Sequence, residues 1–109
     1  MADVLAERCA SLKDLVLELM QLAIGVQAHP DKAKDVKRVV TRIRTVVALG
    51  SAGVDSVDYA NWIDAASANL DRMEAAADSG EVNDIWAAFT DPSTGFNLLG
   101  QACAGQPGW

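Results

Sequence analysis

A chain of 109 residues, 50% hydrophobic and 22% charged, has the composition of one globular domain and not of a disordered segment. Its net charge of −6 argues against nucleic acid as a partner, since affinity for phosphate comes mainly from cationic neutralisation. The charge is uneven: Lys32, Lys34, Lys37, Arg38, Arg42 and Arg44 hold six of the nine basic residues, whereas only Arg72 accompanies nine carboxylates after Gly50.

The first predicted helix runs from Asp3 to Gln27. Leu5, Cys9, Leu12, Val16, Leu19, Ala23 and Val26 alternate steps of three and four and make one apolar stripe. In its second half Leu15, Leu17, Met20, Leu22 and Ile24 fill the flanks, so apolar surface covers most of the circumference. A helix this apolar has to be enclosed by its own chain or by a partner. Leu15–Ile24 is too short to span a bilayer, which takes about 20 apolar residues, so no membrane partner is expected.

Ala28-His29-Pro30-Asp31 ends that helix, because a residue before proline avoids helical dihedrals. Pro30 suits the first turn of a second helix reaching Leu49, with Gly50 as its cap. Val36, Val40, Ile43 and Val47 form its apolar stripe. The run Val39–Val47 is rich in β-branched residues, yet no other segment offers a strand to pair with it. Lys34, Arg38 and Arg42 stand four apart as a basic stripe, read as a solvated or ion-paired face and, alternatively, as a surface for an acidic protein partner.

Ser56 or Asp55 caps a third helix reaching Asp78, with Tyr59, Ile63, Ala66, Leu70, Met73 and Ala77 inward and Asp64, Asp71 and Asp78 on a solvent edge. A short fourth helix carries Val82, Ile85, Trp86 and Phe89, with Trp62 and Trp86 assigned to the core. After Asp91-Pro92 a last segment turns Phe96, Leu99 and Cys103 inward, Asp91 capping it. The expected architecture is an all-α, antiparallel up-and-down bundle of four main helices, the last short and broken at Asp91-Pro92. Residues 1–104 form the single domain and 105–109 an irregular tail.

Catalytic groups are scarce. His29, the one histidine, sits in a helix-ending turn, unlike the exposed mid-helix histidine of phosphotransfer domains. No Glu-x-x-His pair faces a bundle core as in carboxylate metal sites, and the first helix lacks the arginines of small all-α chorismate mutases. Ala75-Ala76-Ala77-Asp78-Ser79-Gly80-Glu81-Val82 and Leu98-Leu99-Gly100-Gln101-Ala102-Cys103 resemble the last helix pair of cytochromes c′. That family attaches haem through Cys-x-x-Cys-His; here Cys103 precedes Ala104-Gly105-Gln106-Pro107, so covalent haem is excluded and the likeness is one of bundle composition. No catalytic residue, metal site or cofactor is expected. With no basic segment and apolar run at the start, a cytoplasmic protein is expected, in which Cys9 and Cys103 are read as buried thiols, pairing being the alternative.

The functional expectation is a small non-catalytic subunit or adaptor acting through protein–protein association, most simply as a dimer across a twofold axis. Val16, Leu19, Met20, Ala23 and Phe96 are the expected contact residues, and Trp109 the outer anchor. The alternative is a bundle holding a small apolar ligand between its alanine-rich third helix and Met20, Met73, Trp62 and Trp86.

Overall fold

Helix α1 spans Val4–Gly25 in the computed structural model, which describes residues 4–109; the expected start at Asp3 lies outside the described residues. α1 turns Cys9, Leu12, Leu19 and Ala23 into the core. It ends two residues before the expected Gln27, and a 3-10 turn at Pro30–Lys32 leads into α2, Ala33–Val47. The β-branched run is helical because Val36, Val39, Val40 and Ile43 are buried, and packing outweighs their strand preference. Gly50, at φ +69°, ends the turn after α2 in the left-handed region that favours glycine.

The hydroxyl of Ser56 accepts the Tyr59 N–H at 3.2 Å and starts α3, Val57–Ser79. α4, Val82–Phe89, and α5, Phe96–Ala102, are separated by a bend. Asp91 does not cap α5 as expected. Its Oδ1 accepts the N–H groups of Ser93 (2.8 Å) and Thr94 (3.1 Å), closing a turn, and α5 begins only after Gly95. A Cβ on Gly95 would lie 2.6 Å from the carbonyl oxygens of both Phe89 and Asp91, so this tight bend requires glycine.

These helices form an all-α bundle, 44 × 23 × 22 Å, without strands among the described residues. α2 packs against α1 and α3, α3 against α4 and α5, and α1 against α4. The bundle has four corners, and α4 followed by α5 makes the fourth. Buried Asn69 ties α3 to that corner, its amide donating at 2.8 Å to the Ala88 carbonyl, which also accepts the Asp91 N–H at 3.3 Å. Five of the six aromatic side chains form one ladder from core to surface. Tyr59 meets Trp62 (5.6 Å), Trp62 meets Phe96 (6.0 Å), Phe96 stacks on Phe89 (5.0 Å), and Phe89 stacks on Trp86 (5.8 Å).

Two expectations are corrected. Cys9 and Cys103 are not free thiols: a disulfide joins them across 94 residues of sequence. The two stripes that hid both cysteines lie side by side, which brings α1 against the end of α5. Trp86 is not a core residue either. At 37% exposure it forms the outer rung of the aromatic ladder.

Candidate functional site

Ion pairs cross three of the four seams between corners. At the α1–α2 seam Arg38 lies 3.4 Å from Glu18. At the α2–α3 seam Lys37 reaches Asp78 (2.6 Å), and Arg44 holds Asp71 (2.6 Å) and Glu74 (2.8 Å). Seven residues forward on α2 correspond to seven back on α3, so Asp71 and Asp78, exposed on the solvent edge as expected, also pair with the basic helix. At the α3–α4 seam Arg72 grips both oxygens of Asp84 (2.6 and 3.2 Å) and reaches Asp91 (3.3 Å). The hydrogen bond from Arg72 holds the Asp84 carboxyl below its ordinary range, while the Ser93 N–H does so first for Asp91, helped by the Arg72 charge.

The fourth seam, between α1 and the α4–α5 corner, has no ion pair among the described residues. The Cys9–Cys103 disulfide closes one end. Beside it the Trp109 indole N–H donates to the Cys9 carbonyl at 3.0 Å. At the other end Gln27 donates to the Val82 carbonyl at 2.8 Å. Two hollows meet at Val16 along this line. One, about 140 Å³, lies under Trp109 beside Lys13, Leu17 and Met20; the other, about 350 Å³, is bounded by Phe89, Thr90, Phe96 and Asn97. On α4, Val82, Trp86 and Phe89 share one edge by their spacing of four and three, the edge that meets α1.

Apolar side chains remain in solvent along this seam: Leu17 is 49% exposed, Ile24 54% and Trp86 37%. A broader hollow of about 470 Å³ at the α3–α4 turn is lined by Gly80, Glu81, Val82, Asn83, Asp84 and Ala87. Its Asp84 is already engaged by Arg72, and no other group in it converges on a common point.

Of the contact residues expected from the sequence, Val16 and Met20 are half-buried on this seam. Leu19 and Ala23 are fully enclosed and Phe96 is 4% exposed, so these three belong to the protein's own core and present nothing to a partner. Trp109 is an anchor, but on its own α1. Gly108, at φ +85°, lets the tail lie directly on Lys13. In the basic stripe Arg38 is paired with Glu18 and Asp35, whereas Lys34 and Arg42 are exposed and make no ion pair among the described residues.

Leu17, Ile24 and Trp86 were missed as surface groups, as were Leu49 (57% exposed) and Val57 (77% exposed) at the α2–α3 connection. Leu17 and Ile24 stand seven apart, one residue off the core stripe, and that offset was the available signal. Among the described residues no group of three or more His, Cys, Asp or Glu side chains is placed to hold a metal ion, and no helix is long and apolar enough to cross a membrane. No protein-family model matches the chain, and neither a curated protein nor a solved structure is significantly similar to it.

Proposed function

We propose that this protein is a small non-catalytic association module whose docking face is the seam between α1 and the α4–α5 corner. One observation carries the reading: the seam without ion pairs is also the one where Leu17, Ile24 and Trp86 stand in solvent. Burying these groups on a partner removes apolar surface from water, worth about 25 cal/mol per Å². The disulfide and the Trp109 contact hold the two walls in place, so little ordering is left to be done on binding.

The disulfide also bears on location. Such a bond persists in oxidising compartments and is rare in the cytosol, which favours a place outside the reducing cytoplasm over the cytoplasmic one expected from the sequence.

The test is a photo-reactive residue placed in the intact chain at Leu17 or at Lys34, irradiated in the native setting. Adducts from Leu17 that an added Ile24→Glu change abolishes support the reading. Adducts from Lys34 alone overturn it in favour of the basic stripe. A second reading, a site for a small apolar ligand, is favoured by the hollow at Val16, Phe89 and Phe96. A small-molecule adduct retained in native mass spectrometry would support it.

A further inference from the structure

A thiol reduces a disulfide by direct attack on one of its sulfurs, so what encloses the bond decides whether it can be reduced. Both Cys9 and Cys103 are fully enclosed. Their setting is nevertheless shallow: Cys103 stands at the very end of α5, followed by exposed Ala104 and Gly105, and exposed Ala10 adjoins Cys9. We infer that the segment Gly105–Trp109 is a strap that keeps thiols from the Cys9–Cys103 disulfide, with Trp109 as its latch.

The strap starts at one half-cystine and is bonded to the other. The Gln106 N–H donates to the Cys103 carbonyl at 2.9 Å, the Trp109 backbone N–H to the Gln106 carbonyl at 3.0 Å, and the Trp109 indole N–H to the Cys9 carbonyl at 3.0 Å. Gly105 and Gly108 both take left-handed dihedrals, at φ +87° and +85°, and so turn the chain back towards α1. Trp109 is half-buried and packs against the apolar cluster that contains both cysteines.

Its hold is light. The strap makes no ion pair among the described residues, and a hollow of about 140 Å³ lies under the indole. Such a segment opens locally at far lower cost than the bundle unfolds. Latched, it leaves the sulfurs out of reach; lifted, it admits a dithiol. One thiolate of the dithiol attacks a cystine sulfur, forming a mixed disulfide and releasing the other cysteine as a thiolate, which takes up a proton. The second thiol of the dithiol then displaces the remaining cysteine, leaving two protein thiols and an oxidised reagent. Reduction frees the end of α5, a seven-residue helix with Gly100 inside it, from α1, while α2 keeps its packing against α1 and α3. The inference does not depend on what binds the docking face.

Reduction of the oxidised full chain by dithiothreitol, followed by mass after alkylation of the thiols released, tests this. Trp109→Ala should raise the rate about tenfold or more, through the lost indole burial and hydrogen bond. Trp109→Phe keeps a ring but loses the N–H, and should raise it about threefold. Val40→Ala opens a cavity in α2, away from the strap, and lowers the stability of the whole bundle; it should leave the rate within about twofold if opening is local. An unchanged rate in Trp109→Ala overturns the inference. So does an equal acceleration by Val40→Ala, because reduction then follows unfolding of the whole bundle. Should Trp109→Ala lose its helicity, Trp109→Phe decides, and an unchanged rate in that variant overturns the inference.

Discussion

The α2–α3 seam and the α1–α4/α5 seam close the same bundle by different physics. In the first, Lys37 and Arg44 meet Asp78, Asp71 and Glu74 along matching seven-residue steps, leaving charged side chains to cover the edges. In the second, a disulfide, one indole hydrogen bond and apolar edges do the work, and hydrophobic side chains are left in water. Exposed ion pairs add little to stability, so the charged seam gains chiefly solubility and a fixed register. The apolar seam gains firm closure and leaves Leu17, Ile24 and Trp86 exposed.

The comparison is broken first by neighbouring leucines. Leu19→Ala should cost about 3 kcal/mol, within the usual range for a buried leucine. Leu17→Ala should stay within about 0.5 kcal/mol, as exposed substitutions do. Urea unfolding measures both, and equal costs would mean that α1 does not present these two faces as described. Replacing the disulfide by Cys9→Ala/Cys103→Ala should cost about 2–4 kcal/mol, given how long a loop it closes. Hydrogen exchange should then rise first in α5 and the tail, with α2 and α3 protected; a uniform loss would show that the disulfide does not act on the fourth seam specifically.

Asn69→Ala should cost about 0.5–1.5 kcal/mol, because the Ala88 carbonyl loses its bond from Asn69 and keeps only the longer one from the Asp91 N–H. The loss should appear as a lowered melting midpoint and faster exchange in α4. Acid gives the smallest effect. Asp84 and Asp91 have folded-state pKa values below the ordinary 3.8, so their contribution is present above that pH and is lost as the pH falls through the lower folded values. Unfolding midpoints followed from pH 5 to pH 2 should show this loss, and Arg72→Met should flatten it, fully for Asp84 and in part for Asp91. An unflattened profile would remove Arg72 from the account.

The helices were legible because their signals are local. The Ser56 cap, the stop at Gly50 and the stripe from Leu5 to Val26 depend on residues a few positions apart. Burial along α1 and α5 was legible only in part, since Leu19, Ala23 and Phe96, read as contact residues, are enclosed in the protein's own core. An inner and an outer stripe one residue apart look alike in a sequence so rich in leucine. Which of them faces inward depends on what stands opposite, and here that is the pair of short helices joined at Gly95. The α2–α3 register could have been read from Lys37 and Arg44 against Asp71 and Asp78, both pairs separated by seven.

The sequence by itself determined that the chain is helical, roughly where α1 to α4 lie, and that α1 carries more apolar surface than one core face uses, because periodicity and capping act over a few residues. Only the tertiary structure decided that Cys9 bonds Cys103, that Trp109 returns to α1, and that Leu17 and Ile24 are the side chains left outside. Those outcomes join or separate groups up to 100 residues apart, and no local pattern records which distant surfaces will meet once the bundle closes.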